Sequence, residues 1–191
     1  MLIALDIDGV ILDFLGHFLK IYNNRNGTSL TTDDITDFLP SGNLDDLIKK
    51  KDWDENFDFF VDNGGFSSLP SFEGARVAIE NIIKAGHHIV YITAREPKLS
   101  GQTIISFILN NIPLKKIYFA PHSKEQALKD LNPDIFVDDR LKHLEEAERA
   151  GVRNIYVMDQ PYNKKLEAKK YTRIYNLIQL EREIAPIKDE K

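Results

Sequence analysis

The chain has 191 residues, 42% apolar and 29% charged, with a formal net charge of −5, enough for one well-cored domain or a core plus a modest insertion. This acidic balance argues against a general binder of nucleic acid or of an anionic membrane, while a small phosphate stays compatible through a metal and a few local amides. With no cysteine, disulfides, zinc–thiolate sites and thiol nucleophiles are excluded.

The first element is an apolar strand predicted over 2–7, which delivers Asp6, Asp8 and Gly9 at its carboxyl end. Two acids spaced by one residue start on the same face of a strand, where they repel unless a cation, a proton or a donor compensates. Gly9 lets the backbone approach a phosphate closely. Broken by two acids and lacking a basic leader, this stretch does not read as a signal peptide. No apolar run approaches the roughly 18 residues of a membrane span. The expected location is cytoplasmic.

Residues 14–72 break the strand rhythm. They offer short helices over 14–24, 32–38, 43–51 and 55–62, and residues 26–72 carry ten acids, three lysines and no arginine. This pattern predicts a helical insertion closed by Gly64-Gly65 and Leu69-Pro70, whose two ends lie beside the acid-tipped strand, so that it can act as a lid. Trp53, Phe57, Phe59, Phe60, Phe66 and Phe72 crowd its second half. Packing of a small lid accounts for most of them, and one or two could stack on a nucleobase.

From residue 74 onward helices and strands alternate: helix 74–85, strand 88–93, helix 99–111, strand 116–120, helix 123–131, strand 134–138, helix 140–150, strand 154–158, a weaker strand 172–175 and helix 176–184. Gly86 and Gly151 sit where glycines end helices, and Pro133 separates a helix from its strand. The fold class is α/β: a three-layer Rossmann-like parallel sheet flanked by helices, with a small helical cap inserted after the first strand. The expected division is a core of 1–13 and 73–191 and a cap of 14–72. The closing Lys-Asp-Glu-Lys reads as a frayed tail.

Ligands of an open parallel sheet bind outside the carboxyl ends of its strands. Four predicted strand ends carry phosphate chemistry: Asp6 and Asp8; Thr93, Ala94 and Arg95; Lys124 at a helix start; and Asp138 with Asp139. Each has a plainer alternative when taken alone. Asp-x-Asp is commonly a turn device, Thr93 a strand terminus, Lys124 a solvated helix residue, and Asp138-Asp139 a helix cap. Their order, placement and residue types agree, however, and together they predict a divalent site; Mg²⁺ favours a few carboxylates with phosphate and water.

This ordered set resembles the four motifs of the haloacid dehalogenase (HAD) superfamily over the whole chain. Phe66-Ser67-Ser68-Leu69-Pro70-Ser71-Phe72-Glu73-Gly74-Ala75 and Asp159-Gln160-Pro161-Tyr162-Asn163 are similar to segments of the 5′(3′)-deoxyribonucleotidases. The resemblance implies that Asp6 attacks phosphorus to form an aspartyl-phosphate, and that Asp8 protonates the leaving oxygen and then activates water. Mg²⁺ is then expected on Asp6, the main-chain carbonyl of Asp8, and Asp138. Thr93 and the Ala94 amide are expected to bind phosphate oxygens. Lys124 neutralises them and holds Asp6 ionised, and Asp139 orients the metal site or Lys124. Whether a neighbouring carboxylate or the metal governs the Asp8 proton stays open at this level.

Arg95 departs from part of the family, where a small residue follows; it can add a phosphate contact, or point to solvent or pair with Glu96. His122 can reach the pocket or be a loop residue, and His87-His88 lies at the opposite end of the sheet. The expected substrate is a small phosphate ester, foremost a nucleoside monophosphate, with no long nucleic acid or membrane as partner. Two alternatives stand: a phosphatase of sugar phosphates or other small phosphomonoesters, and a non-catalytic sensor of a phosphate metabolite. A sensor has no need of both Asp6 and Asp8.

Overall fold

The computed structural model describes residues 1–36, 47–166 and 170–184. Six parallel strands, β1 (Leu2–Leu5), β2 (His88–Thr93), β3 (Ile117–Phe119), β4 (Ile135–Asp138), β5 (Asn154–Met158) and β6 (Thr172–Ile174), form one sheet in the order β3-β2-β1-β4-β5-β6. The order reverses at β1, which lies between β2 and β4, so the crevice outside the carboxyl ends of β1 and β4 is the natural ligand position. Ile3, Leu5, Phe136 and Val137 are fully buried, as strands covered by helices on both faces require.

The helices are α1 (Phe14–Asn26), α2 (Lys50–Asp62), α3 (Ala75–Lys84), α4 (Ser100–Leu109), α5 (Glu125–Leu131), α6 (Leu141–Ala150) and α7 (Leu177–Ile184). Core elements fall within a residue or two of their expected bounds. Gly151 ends α6 at φ +85, a left-handed conformation that glycine adopts without a Cβ penalty. No helix among the described residues is long and apolar enough to cross a membrane.

Differences from expectation concentrate after β1. The strand stops at Leu5, two residues early, because the Ile7 carbonyl accepts from the Ile11 and Leu12 amides and the chain turns. The Asp6 amide still donates to the Val137 carbonyl at 2.9 Å, so Asp6 stays anchored to β4 while Asp8 lies past the bend. Asp6 and Asp8 are therefore placed by different elements, a strand end and a turn. In the insertion, the helix expected over 32–38 is a 3₁₀ turn at Thr32–Asp34 that ends at an extended Ile35, and residues 37–38 lie outside the described residues. Residues 43–46 of the expected 43–51 helix also lie outside them, as does the C-terminal tail from 185. The helix expected over 55–62 begins earlier, at Lys50.

Both ends of the insertion are tied together. The Asp13 amide donates to the Pro70 carbonyl and the Phe72 amide to the Ile11 carbonyl, each at 2.9 Å. Asp13 also caps α1 by accepting from the Gly16 amide at 2.9 Å. The insertion thus enters and leaves through one hydrogen-bonded strap beside Asp8. Its aromatic residues pack mainly on one another: Phe60 is fully buried against Phe14, Phe18 and Phe66, with ring centroids 5.2–5.7 Å apart.

Candidate active site

At the crevice, β1 and β4 deliver three buried carboxylates. Asp6, Asp138 and Asp139 each offer an oxygen within 4.8 Å of the others. Lys124, at the start of α5, is fully buried and donates to Asp6 and, at 2.6 Å, to Asp138. Its own amide donates to Glu146 of α6 at 2.9 Å, and Glu146 pairs with His143 at 3.0 Å, so α6 fixes where the lysine starts. Asp138 accepts the Arg140 amide at 2.9 Å through its other oxygen.

One ammonium thus bonds two of three clustered carboxylates, and the titration behaviour follows. Burial drives the Asp6 carboxyl well up, against the pull of Lys124, with Asp138 and Asp139 adding to the rise. For Asp138 burial also opposes ionisation, but Lys124 together with His143 and the Arg140 amide outweighs it and the group is held low. Burial and then Asp138 push Asp139 up to about 7. Burial disfavours the Lys124 ammonium, yet Asp138 and Asp6 overcome it and raise the group above its ordinary value.

Asp139 carries the clearest ligand signal. Its Oδ2 accepts the Tyr162 hydroxyl, while its Oδ1 is buried and takes no hydrogen bond. A buried, unpaired carboxylate oxygen costs several kcal/mol in the general case. Three carboxylates against one ammonium leave two negative charges, which suits a divalent cation with oxygen ligands. The donor set therefore fits Mg²⁺, with Asp139 offering an oxygen beside those of Asp6 and Asp138.

Asp8 has a different partner. Both its oxygens accept from Arg95, at 2.8 Å from Nε and 2.7 Å from Nη2, a bidentate pair. Arg95 is buried, donates to Thr103 of α4 at 2.9 Å, and lies 4.5 Å from the centre of the Phe66 ring. It neither points to solvent nor pairs with Glu96. Thr93 ends β2 as expected, buried, its hydroxyl accepting the Arg95 amide at 3.2 Å.

A cavity of about 450 Å³ opens above this cluster. Asp6, Asp8, Gly9, Ala94 and Asp139 form its floor, while Thr93, Lys124 and Asp138 are buried behind it. Phe14, Trp53, Phe57, Phe66 and Phe72 supply its apolar wall, and Asp58, Asp62 and Glu96, with Lys98 and Arg140, its charged lining. Of the six aromatics singled out from the sequence, Phe59 points away beneath Arg25 and Phe60 belongs to the core. His122 is exposed on its loop, and His87 bonds the N-terminus and the Ile184 carbonyl far from the site.

Residue-by-residue reasoning missed the brace formed by 159–163. Gln160 donates to the Gly9 carbonyl at 2.7 Å, Tyr162 to Asp139, and Asn163 to the Asp139 and Met158 carbonyls at 2.8 Å. Arg173 of β6 clamps Asp159 and Asn163, both at 2.7 Å. The only sequence signal for it was the family-like Asp159–Asn163 stretch. Tyr162→Phe leaves Asp139 without its hydroxyl donor, and divalent affinity is expected to fall about 10–100-fold by titration calorimetry with little change in fold.

Gly9 is required twice over. Its φ is +80, and a Cβ there would lie 2.6 Å from the Asp139 carboxyl carbon and 2.8 Å from the Tyr162 hydroxyl. Gly9→Ala is expected to cost about 2 kcal/mol or more in thermal unfolding and to displace Asp139, with activity falling alongside.

A parallel α/β sheet with carboxylates and a lysine at its topological switch, beneath an aromatic cavity, defines a phosphatase of the HAD type. Solved structures agree on the fold. A HAD family hydrolase from Deinococcus radiodurans R1, with bound phosphate and sodium, superposes with a TM-score of 0.67 at 14% identity over 93% of this chain and 92% of that one. A haloacid dehalogenase-like protein from Agrobacterium tumefaciens gives 0.71 at 11% identity, covering 96% and 97%.

The family model for the 5′ nucleotidase, deoxy (pyrimidine), cytosolic type C proteins matches residues 1–184, and the chain belongs to that family. A nucleotidase of Clostridium acetobutylicum is 25% identical over 178 residues, 91% of this chain and 88% of that protein. The protein is thus an enzyme of the HAD superfamily, a phosphatase of the nucleotidase kind that takes a small phosphorylated substrate.

Proposed function

We propose that the protein is a Mg²⁺-dependent nucleoside monophosphate phosphatase, preferring deoxyribonucleotides, that works through an aspartyl-phosphate on Asp6. The observation that carries this reading is the buried Asp6–Asp138–Asp139 cluster with its single lysine, opening on an aromatic cavity. Asp6, Asp138 and the Asp8 carbonyl, with Asp139 beside them, would hold the metal. Bound there, it would neutralise phosphate charge that the acidic floor otherwise repels.

In the first half-reaction an Asp6 oxygen bonds to phosphorus and the bond to the leaving oxygen breaks, Asp8 giving that oxygen a proton. In the second, water attacks phosphorus, the bond to Asp6 breaks, and the water proton goes to Asp8. Arg95 engages both Asp8 oxygens and fixes the carboxylate's direction at the cavity wall. Phosphate oxygens fall to the Ala94 amide and the Thr93 hydroxyl, with Lys124 compensating charge from behind, while Gly9, whose amide is held by the Leu12 carbonyl at 2.9 Å, supplies room for close approach.

Residues 14–72 act in this reading as a cap over a core of 1–13 and 73–191, pivoting at the Asp13–Pro70 and Phe72–Ile11 strap. Trp53 and Phe57, 6.3 Å apart at 15° and only partly buried, provide flat faces for a nucleobase, worth about 1–3 kcal/mol per stacked ring. The net charge of −5 disfavours a longer polyanion.

The test is turnover of deoxyribonucleoside monophosphates, ribonucleoside monophosphates and sugar phosphates with Mg²⁺ and with excess chelator. Deoxyribonucleotides are expected to lead by about tenfold or more in kcat/KM, with activity lost on chelation. Activity confined to sugar phosphates would overturn the substrate reading, and chelator-insensitive turnover the metal. Inactivity across the whole panel would favour the sensor.

A further inference from the structure

The charged lining of the cavity comes from two sides. The loops after β2 and β4 contribute Glu96, Lys98 and Arg140. Opposite them, α2 contributes Trp53, Phe57 and Val61 in one i, i+4 row and Asp58 and Asp62 in the next. Among the described residues of 14–72, these two carboxylates are the only charged side chains in the lining. Both are exposed, and neither has an ion-pair or hydrogen-bond partner among the described residues, Lys98 included. Their neighbours on α2 are paired: Lys50 and Lys51 bond Asp54 and Glu55, one turn on, at 3.1 and 3.7 Å.

Local stability does not account for Asp58 and Asp62. They are like charges at i, i+4, and Asp62 ends the helix at its negative pole with no basic residue in the last turn. The cavity is marked as a ligand site independently of them. Asp139, buried on its floor, keeps an oxygen without a hydrogen bond, and Trp53 and Phe57 turn ring faces to its wall. Resting on the nucleoside monophosphate reading above, we propose that Asp58 and Asp62 read the edge of the substrate's base, selecting bases that carry an exocyclic amino group over uracil and thymine.

A carboxylate accepts hydrogen bonds and donates none. Cytosine, adenine and guanine each offer it an amino donor, and guanine adds a ring N–H beside that group, enough to engage both oxygens of one carboxylate. Uracil and thymine instead flank a single ring N–H with two carbonyl oxygens, which meet a carboxylate with negative charge on both sides. A base lying on the Trp53–Phe57 row turns its edge toward the adjacent row of the same helix, where the two acids stand. The phosphate belongs at the other end of the substrate, over the floor formed by Asp6, Asp8 and Asp139, so the acids of α2 are left to the base.

Cytosine and uracil share a shape and differ at one edge, so the test compares kcat/KM for dCMP and dUMP. Wild type should prefer dCMP by about tenfold or more. In the double variant Asp58→Asn with Asp62→Asn, the side-chain amides can donate to the uracil oxygen, and the preference should vanish or invert. A ratio of two substrates is unmoved by general damage to the enzyme. Both positions are exposed and the substitutions remove like charges from the end of α2, so the variant should melt no lower than wild type. Equal turnover of the two nucleotides by wild type, a preference for dUMP, or a dCMP preference that the double variant keeps would overturn the proposal and leave the nucleotidase reading standing. Turnover of neither nucleotide would overturn that reading, and with it the base selection. Faster turnover of phosphoethanolamine, which offers the acids an ammonium and no base, would assign them to an aminoalkyl phosphate and overturn the proposal as well.

Discussion

Asp6→Asn is expected to lower kcat on the order of 10⁴-fold or more while the protein stays folded. The amide keeps the shape of the carboxylate but cannot attack phosphorus. It also removes one negative charge from a buried cluster holding three carboxylates and one ammonium. Lys124 keeps Asp138 as its partner at 2.6 Å. Without metal, the variant should therefore melt no lower than wild type, and its stabilisation by added Mg²⁺ should shrink. Loss of activity with retained or raised melting temperature separates a chemical role from a structural one. A steady-state assay with a thermal melt, each with and without Mg²⁺, reads both.

Lys124→Met moves stability the other way. Lys124 is the ammonium that directly bonds Asp6 and Asp138, and removing it leaves buried carboxylates facing one another. Breaking a buried pair from one side costs about 3–5 kcal/mol, or roughly 10 °C in a domain of this size. The stability is lost because Asp6 and Asp138 must then protonate or draw in solvent. Mg²⁺ should restore part of it, since the metal supplies charge at the same carboxylates. A Lys124→Met protein with unchanged melting temperature and activity would show that the lysine is not the cluster's counter-charge.

The fold was largely legible because the strands are short apolar runs closed by glycine, proline or acids, a pattern that parallel sheets buried on both faces impose. Ile135-Phe136-Val137-Asp138 reads as a strand without knowledge of its neighbours. The site residues were legible for the same reason, since strand ends at a topological switch converge. Partnerships were harder to see. Asp6 and Asp8 read as twins on one face, but the turn around Ile7 sends one to Lys124 and the other to Arg95.

Arg95 could not be assigned to Asp8 from spacing, because 87 positions separate them and the pair exists only through the β1–β2 register. Tyr162 was illegible as a ligand-orienting group for a similar reason: its link to Asp139 depends on the chain doubling back after β5. The cap was read least well, since its helices are held by tertiary aromatic packing more than by local pattern.

The most direct test of the account is where phosphorus attaches during turnover. Wild-type enzyme mixed with a deoxyribonucleoside monophosphate and Mg²⁺ is quenched in acid within a single turnover, digested and analysed by mass spectrometry. The account predicts one added phosphoryl group on the N-terminal peptide, at Asp6, that appears and decays at rates consistent with product formation and is absent from Asp6→Asn. Product formed with no such adduct, or an adduct on another residue, would contradict it.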